Sequence, residues 1–447
     1  MGEINGYFDR LFTSSNPEEF APILQCIPQV ITDQMNSVLT RPITEWEIKK
    51  AVFSLHPNKA PGPDGMSPVF FQKFWNIVKL DLIAAISSFF HSGNLLKAIN
   101  ETCLILLPKT DFPTSASQFR PISLCNVIYR VISKILVNRV KPFLTCCVSA
   151  NQSTFIPGRH ITDNIMIAHE LIHCLNNRRG GTNAFMAIKF DMAKAYDRVE
   201  WGFLEKIMSQ MGFCSVWINW ISKCVSSVTY SFNINGETKG FVRPSRGLRQ
   251  GDPLSPFLFL LVSEGLSKLL NTAMREHRIS GLKITAASPA LSHLLFADDT
   301  LIFCRATLEE AGRVRQLLET YGKASGQSIN TEKSSVPFSK NTEESSMEGI
   351  LQELGGMKHA RQSRYLGLPV LIGRSKVHVF SYIRDKVNNR IKGWKEKMLS
   401  QAGKEVLLKA VAMAMPNYAM NCCKLPVGLC KDICRDMAKF WWGSKED

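Results

Sequence analysis

Two adjacent aspartates, Asp298 and Asp299, interrupt an otherwise apolar run, "HLLFADDTLIFC" at residues 293–304. Leu294, Leu295 and Phe296 before them, and Leu301, Ile302 and Phe303 after them, read as two short strands joined near the acids. A carboxylate in such a run is costly unless it is paired or binds a metal. Successive residues of a regular strand point to opposite faces, so the two acids cannot share one site from mid-strand. A tight turn, through strand twist, brings both toward the same region. A third acid, Asp191, ends the strand-like "AFMAIKFD" (184–191) and could complete the group. Three clustered carboxylates repel one another unless a hard divalent cation neutralises them. Two such ions roughly 4 Å apart activate one oxygen and stabilise another during phosphoryl transfer. The plain alternative for a lone D-D pair is an exposed turn.

Around this pair the chain alternates between helical and strand-like periods. Thr44 and Glu47 form a capping box opening a helix with Ile48, Val52 and Leu55 on one face. The Gly/Pro-rich "HPNKAPGPDG" (56–65) ends it in a rigid loop, and helical segments follow to about Lys97. "CLILLPKT" (103–110) reads as a buried strand. "FRPISLCNVIYRVISKILVNRVKPFL" (119–144) reads as a short loop leading into an amphipathic helix that stops at Pro142. Another such helix covers 161–175, and the helical period returns over 196–211. A hairpin with an Asn235-Gly236 turn spans 228–242, and 253–274 is a long, largely buried helix. Thr307 and Glu310 box-cap a helix to about Gly326. The strand-like "SINTEKSSVPFS" (328–339) precedes a polar, poorly patterned stretch to about 357. Beyond Tyr365 the pattern is helical, broken at Pro416 and Pro426.

The longest apolar runs, such as "FLFLLV" (257–262), fall short of the roughly 20 residues that span a bilayer. The first residues lack a signal peptide's basic start and apolar centre. Thirteen cysteines without a C-x-x-C pair point to reduced thiols in the cytosol or nucleus. The net charge of +16 points to a polyanionic partner. Residues 358–447 hold 18 Lys and Arg against 7 Asp and Glu, which is +11 of that charge. The excess alternates with apolar helical positions, as a nucleic-acid contact would have it.

Three blocks then carry a family resemblance: "IKFDMAKAYDRVEW" (188–201), "RGLRQGDPLSPFLFLLVSEGLS" (246–267) and "FADD" (296–299). They resemble the core palm motifs of reverse transcriptases, more narrowly those of plant LINE-type, non-LTR retrotransposons. Further blocks agree in the family's order: "NKAPGPDG" (58–65), "LLPKT" (106–110), "FRPISLCNVIYRVISKILVNRV" (119–140) and "QSTFIPGRHITDNIMIAHELIH" (152–173). "SGQSINTEKS" (325–334), "YLGLPV" (365–370) and "GWKEKMLSQAGKEVLLKAV" (393–411) follow. FADD alone would be weak, but this many ordered blocks, over nearly the whole chain, are specific.

The resemblance implies an α+β, right-hand polymerase: fingers, a palm on an antiparallel sheet, and a helical thumb. It implies two Mg²⁺ ions (Mn²⁺ as a substitute) on Asp191, Asp298 and Asp299, assisted by the Met192 carbonyl. Phosphoryl transfer of this kind is mostly positioning and charge neutralisation, so it needs acids for metals and cations for phosphates. Lys109 and Arg120 match the triphosphate contacts of the fingers. Tyr196 occupies the steric-gate position, where a ring under the sugar excludes a 2′-hydroxyl; phenylalanine is commoner there. Gln250 and Gly251 match the loop supporting the incoming base pair. Lys333 matches a lysine that protonates the pyrophosphate leaving group. Tyr365, Leu366 and Gly367 match the primer grip, and the basic tail matches the thumb, whose cations would track duplex backbone.

The resulting expectation is an RNA-directed DNA polymerase whose partners are an RNA template, a DNA primer and dNTPs, with no membrane. Residues 1–98 would be an N-terminal extension and the start of the fingers, 99–372 fingers and palm, and 373–447 a basic thumb-like region. The family's upstream endonuclease and downstream zinc-knuckle or RNase H regions are not in this sequence. The alternative is therefore a retroelement remnant that binds nucleic acid without effective catalysis. A group II intron maturase is a third reading, disfavoured by the LINE-like wording of the blocks. The family's life cycle points to the nucleus.

Overall fold

The computed structural model describes residues 2–180, 183–360, 364–369, 375–394 and 399–443. Its strands are, in chain order, β1 (Glu101–Pro108), β2 (Phe119–Cys125), β3 (Phe185–Met192), β4 (Thr229–Ile234) and β5 (Glu237–Val242). They continue with β6 (His293–Phe296), β7 (Asp299–Arg305), β8 (Ile329–Val336), β9 (Lys358–His359), β10 (Arg364–Tyr365) and β11 (Leu368–Pro369). Five of them form one sheet in the order β6-β7-β3-β8-β9, antiparallel except for the β8–β9 pair.

Period-two alternation covers both faces of this sheet. Met186, Ile188 and Phe190 of β3, with Ile302 and Cys304 of β7, enter the largest core. That core includes the helices Trp201–Met211, Ser255–Arg275 and Leu308–Ser325. The intervening Phe185, Ala187, Leu301 and Phe303 pack instead against Ala168, Leu171 and Leu175 of the helix Ile161–Asn177. The helix Ser255–Arg275 is long and apolar enough to cross a membrane, yet most of it lies inside this core.

A second sheet has the order β2-β1-β4-β5, with β1 and β4 parallel. The helix Gly2–Phe12 lies on it, with Phe8 5.3 Å from Phe232 and Phe12 5.1 Å from Tyr230, ring to ring. The basic C-terminal stretch forms its own core from Phe380, Ile383 and Val387 of the helix Lys376–Lys392 and Leu429 and Ile433 of the helix Val427–Trp442. Arg384 holds these two helices together through Asp436, at 2.6 and 3.2 Å. Residues 395–398 of the block at 393–411 lie outside the described residues.

Three sequence expectations change. "FRPIS", read as a loop, is strand β2, because its Leu106–Pro121 and Leu107–Arg120 pairings supply ladder partners that no local pattern reveals. The polar stretch before 357 contains the helix Glu344–Glu353, anchored by buried Ile350. The two capping boxes are half-formed. Thr44 and Thr307 accept the Glu47 and Glu310 N–H groups at 3.3 and 3.2 Å. The Glu47 carboxylate goes to buried Arg139, at 3.0 Å, and that of Glu310 goes to the Arg305 N–H and to Ser280. Tertiary charge-assisted bonds outcompete the weaker local cap.

Candidate active site

The acid hairpin is a two-residue turn. Phe296 pairs with Asp299, leaving Ala297 and Asp298 at its tip. Ala297 has φ 54°, a left-handed value that favours glycine at this turn position. Buried Gln152 holds it there, accepting the Ala297 N–H at 3.1 Å. Asp298 therefore projects from the turn, while Asp299 begins β7. The β3–β7 register pairs Phe190 with Thr300, so one step further sets Asp191 beside Asp299. Asp191 also follows a bulge against β8, which re-aims the end of β3.

Electrostatics report the same convergence. Burial raises the Asp298 carboxyl above its ordinary range, and the charges of Asp299 and Asp191 raise it further. Burial also raises Asp299, opposed by nearby Lys189 and reinforced by Asp191. The donors are hard carboxylate oxygens, suited to Mg²⁺ or Mn²⁺. Among the described residues, no three His, Cys, Asp or Glu side chains form a ready-made metal cage.

Asp191, Met192 and Asp298 line a cleft of about 1230 Å³, and Asp299, next in the chain, is not among its lining residues. Across the cleft stand Lys109, just past β1, and Arg120 on β2, both exposed. Tyr196, Gln250, Gly251 and Lys333 line it too. Tyr196 stacks on Phe259, rings 4.8 Å apart, and burial plus the Asp298 charge raise its hydroxyl pKa. The Gln250 carbonyl accepts the Ser123 N–H of β2 at 2.8 Å. Gly251 sits at φ 111°, and a Cβ there would come 3.2 Å from the Ser123 carbonyl oxygen, so glycine is needed. Lys333 is exposed on β8. Of the three residues matched to the primer grip, Tyr365 is 1 % exposed, Leu366 half-buried and Gly367 exposed, and none of them lines the cleft.

The structure adds Lys194, Tyr7 and Arg10, which sequence reasoning passed over. It also gives Asp197, matched to the same block as Asp191 and expected to make a structural hydrogen bond or ion pair, its partner. Lys194, three past Asp191, reaches the Phe119 carbonyl at 2.8 Å. Burial and then the charge of Lys109 push its amine down to about 8. A cation wall this crowded is built for an anion. Its signal was present, since Lys194 falls inside the motif that supplies Asp191. Asp197 is 1 % exposed, accepts the Gln250 amide at 2.9 Å, and burial drives its carboxyl up to about 6. Tyr7 and Arg10 of the N-terminal helix also line the cleft.

Comparison with known proteins agrees. The family profile described as reverse transcriptase (RNA-dependent DNA polymerase) matches residues 107–370. An uncharacterized 149 kDa protein of transposon TX1 from Xenopus laevis is 26% identical over 444 residues, covering 98% of this chain and 33% of that protein. A Pol polyprotein from the type-2 retrotransposable element R2DM of Drosophila melanogaster is 27% identical over 305 residues, 68% of this chain and 26% of its own length. An uncharacterized mitochondrial protein of Arabidopsis thaliana is 56% identical over 69 residues, 15% of this chain and 57% of its own length. The chain thus spans about a third or less of the first and second of these relatives. With Asp191 and Asp298 lining one cleft together with Lys109, Arg120 and Lys194, this chain belongs to the reverse transcriptase (RNA-dependent DNA polymerase) family.

Proposed function

We propose that the chain extends a DNA primer on an RNA template with dNTPs, as the polymerase part of a plant LINE-type element. The observation that carries this is that Asp191 and Asp298 line one cleft together with Lys109, Arg120 and Lys194. Reverse transcriptases generally use divalent ions, and Asp191, Asp298 and Asp299, with the Met192 carbonyl, are the residues that would hold two Mg²⁺. Such ions lower the pKa of the primer hydroxyl and neutralise the triphosphate.

The chain's own side chains do the rest. Lys109 and Arg120 hold the triphosphate opposite the acids, and Lys194 adds a third cation. Lys333, exposed at the rim, supplies the leaving group's proton. The Tyr196 ring, fixed by Phe259, closes the floor beneath the sugar and excludes a 2′-hydroxyl. Gln250, held by Asp197, and Gly251, close to Ser123, support the nascent pair. Leu366 and Gly367, above buried Tyr365, seat the primer. In this reading residues 1–98 are the extension and start of the fingers, 99–372 fingers and palm, and 373–447 the thumb. The Arabidopsis similarity supports the plant assignment, and the family's life cycle supports a nuclear site of action.

The test is dTTP incorporation on oligo(dT)-primed poly(rA) with Mg²⁺. Duplex binding without incorporation supports the rival reading, a remnant that binds and does not catalyse. Tyr196→Val is expected to raise ribonucleotide use; unchanged discrimination removes the gate assignment.

A further inference from the structure

Tyr365 cannot touch a primer, yet its hydroxyl is committed. It donates to Asn164 Oδ1 at 2.9 Å, on the helix Ile161–Asn177. Asn164, 2 % exposed, donates through Nδ2 to the Leu295 carbonyl at 2.9 Å and to Ser153 Oγ at 3.2 Å. Leu295 lies on β6, three residues before Asp298. Its N–H donates to the Asn151 carbonyl at 2.8 Å. The outer edge of the acid-bearing strand is thus gripped by residues 151–164 through both backbone polar groups of Leu295.

The other end of this chain of bonds reaches the C-terminal core. Tyr365 pairs with Leu368, leaving Leu366 (φ 49°) and Gly367 (φ 82°) as a two-residue turn. A leucine in the left-handed region costs on the order of 1 kcal/mol or more and needs an external hold. Tyr418, on the helix Asn417–Cys422, supplies it by donating to the Leu366 carbonyl at 2.7 Å. Leu366 also packs against both the palm-side and C-terminal cores. Burial and then the charge of Asp299 raise the Tyr365 hydroxyl pKa, so that hydroxyl lies within the field of the acids as well.

We propose that Asn164 and Tyr365 are positioning residues that fix the Leu366–Gly367 primer seat in register with Asp298 and Asp299. The relay runs from Tyr418 through Leu366 and Tyr365 to Asn164 and Leu295, so the hold of the C-terminal region on a duplex reaches the acids. This rests on the polymerase reading above. Neither residue meets nucleotide or metal. Their effect is on alignment, where an error of about 1 Å costs about a hundredfold in rate.

The test compares wild type, Tyr365→Phe, Asn164→Leu and the double variant on oligo(dT)-primed poly(rA), with unfolding midpoints recorded for each. Tyr365→Phe keeps the ring and loses one oxygen. It is expected to lower the single-turnover rate at saturating dTTP about tenfold, with the KM for dTTP and the duplex Kd within about twofold. The double variant is expected to be no slower than Asn164→Leu, because both cut one relay. An unchanged rate, or a loss confined to KM or duplex Kd, overturns the proposal, as does a multiplicative loss in the double variant. If Asn164→Leu does not fold, Tyr418→Phe replaces it, with the same non-additivity expected on Tyr365→Phe. Mn²⁺ titration by electron paramagnetic resonance needs no turnover. Tyr365→Phe is expected to weaken Mn²⁺ binding about threefold, and equal affinity overturns the relay even if the wild type does not extend primers. An inactive wild type with the threefold difference intact overturns the polymerase reading and supports the relay.

Discussion

The hairpins β4–β5 and β6–β7 share a topology and differ in what holds their turns. Asn235 and Gly236 have φ 53° and 84°, the type I′ pattern their sequence favours, with the Gly236 N–H donating to Asn233 Oδ1 at 3.2 Å. That turn is stable on local grounds and leads into the largely exposed strand β5. In β6–β7 the left-handed position holds Ala297, and two acids crowd the tip. Tertiary bonds from Gln152, Asn151 and Asn164 hold it. Local chemistry builds the first hairpin; the surrounding fold imposes the second, in order to aim carboxylates. Stored strain of this kind belongs at a site of chemistry.

The sharpest way to break this contrast is Gln152→Leu. Gln152 Oε1 accepts both the Ala297 and Thr154 N–H groups, at 3.1 Å each, and leucine leaves both unsatisfied. The expected loss is about 2–3 kcal/mol by denaturant titration, with primer extension falling at least about tenfold. Ala297→Val puts a β-branched residue at positive φ and is expected to cost about 2 kcal/mol, read the same way. Gly236→Ala in the other hairpin is expected to cost about 1 kcal/mol and leave primer extension within about twofold. Equal activity losses from Ala297→Val and Gly236→Ala would erase the distinction.

The smallest effect has the opposite sign. Burial, then Asp299 and Asp191, raises Asp298 in the folded state, so its ionised form opposes folding at high pH. The handicap is complete above the folded-state pKa and disappears as pH falls below the unfolded value near 4. In chelator, Asp298→Asn is expected to melt about 1–2 °C above wild type at pH 8, with the difference closing toward pH 4. A difference that grows on acidification would contradict this cause.

Much of the site was legible because its cost was visible. Asp298 and Asp299 interrupt an apolar run, and Asp191 ends another, so a charge problem marked each acid before any fold was known. The Asn235-Gly236 turn was legible for the complementary reason, that its residues fit it. Strand β2 was not, because its partners belong to a different segment and its own residues carry a proline and an arginine. The helix Gly2–Phe12 was passed over, so Tyr7 and Arg10 at the cleft were missed. Gln152 and Asn164 read as ordinary positions and Tyr365 only as part of the primer-grip match, since the hydrogen bonds they make span 131 to 201 residues. Long-range hydrogen bonds leave no local period to read.

The most direct measurement is single-turnover dTTP incorporation on oligo(dT)-primed poly(rA) with Mg²⁺, comparing wild type with Asp298→Ala at matched duplex occupancy. In the proposed reading Asp298 would hold the metals, and its loss removes several kcal/mol of charge stabilisation, so the rate is expected to fall at least about a thousandfold with duplex affinity unchanged. Equal rates for the two proteins would contradict a catalytic role for the acid hairpin.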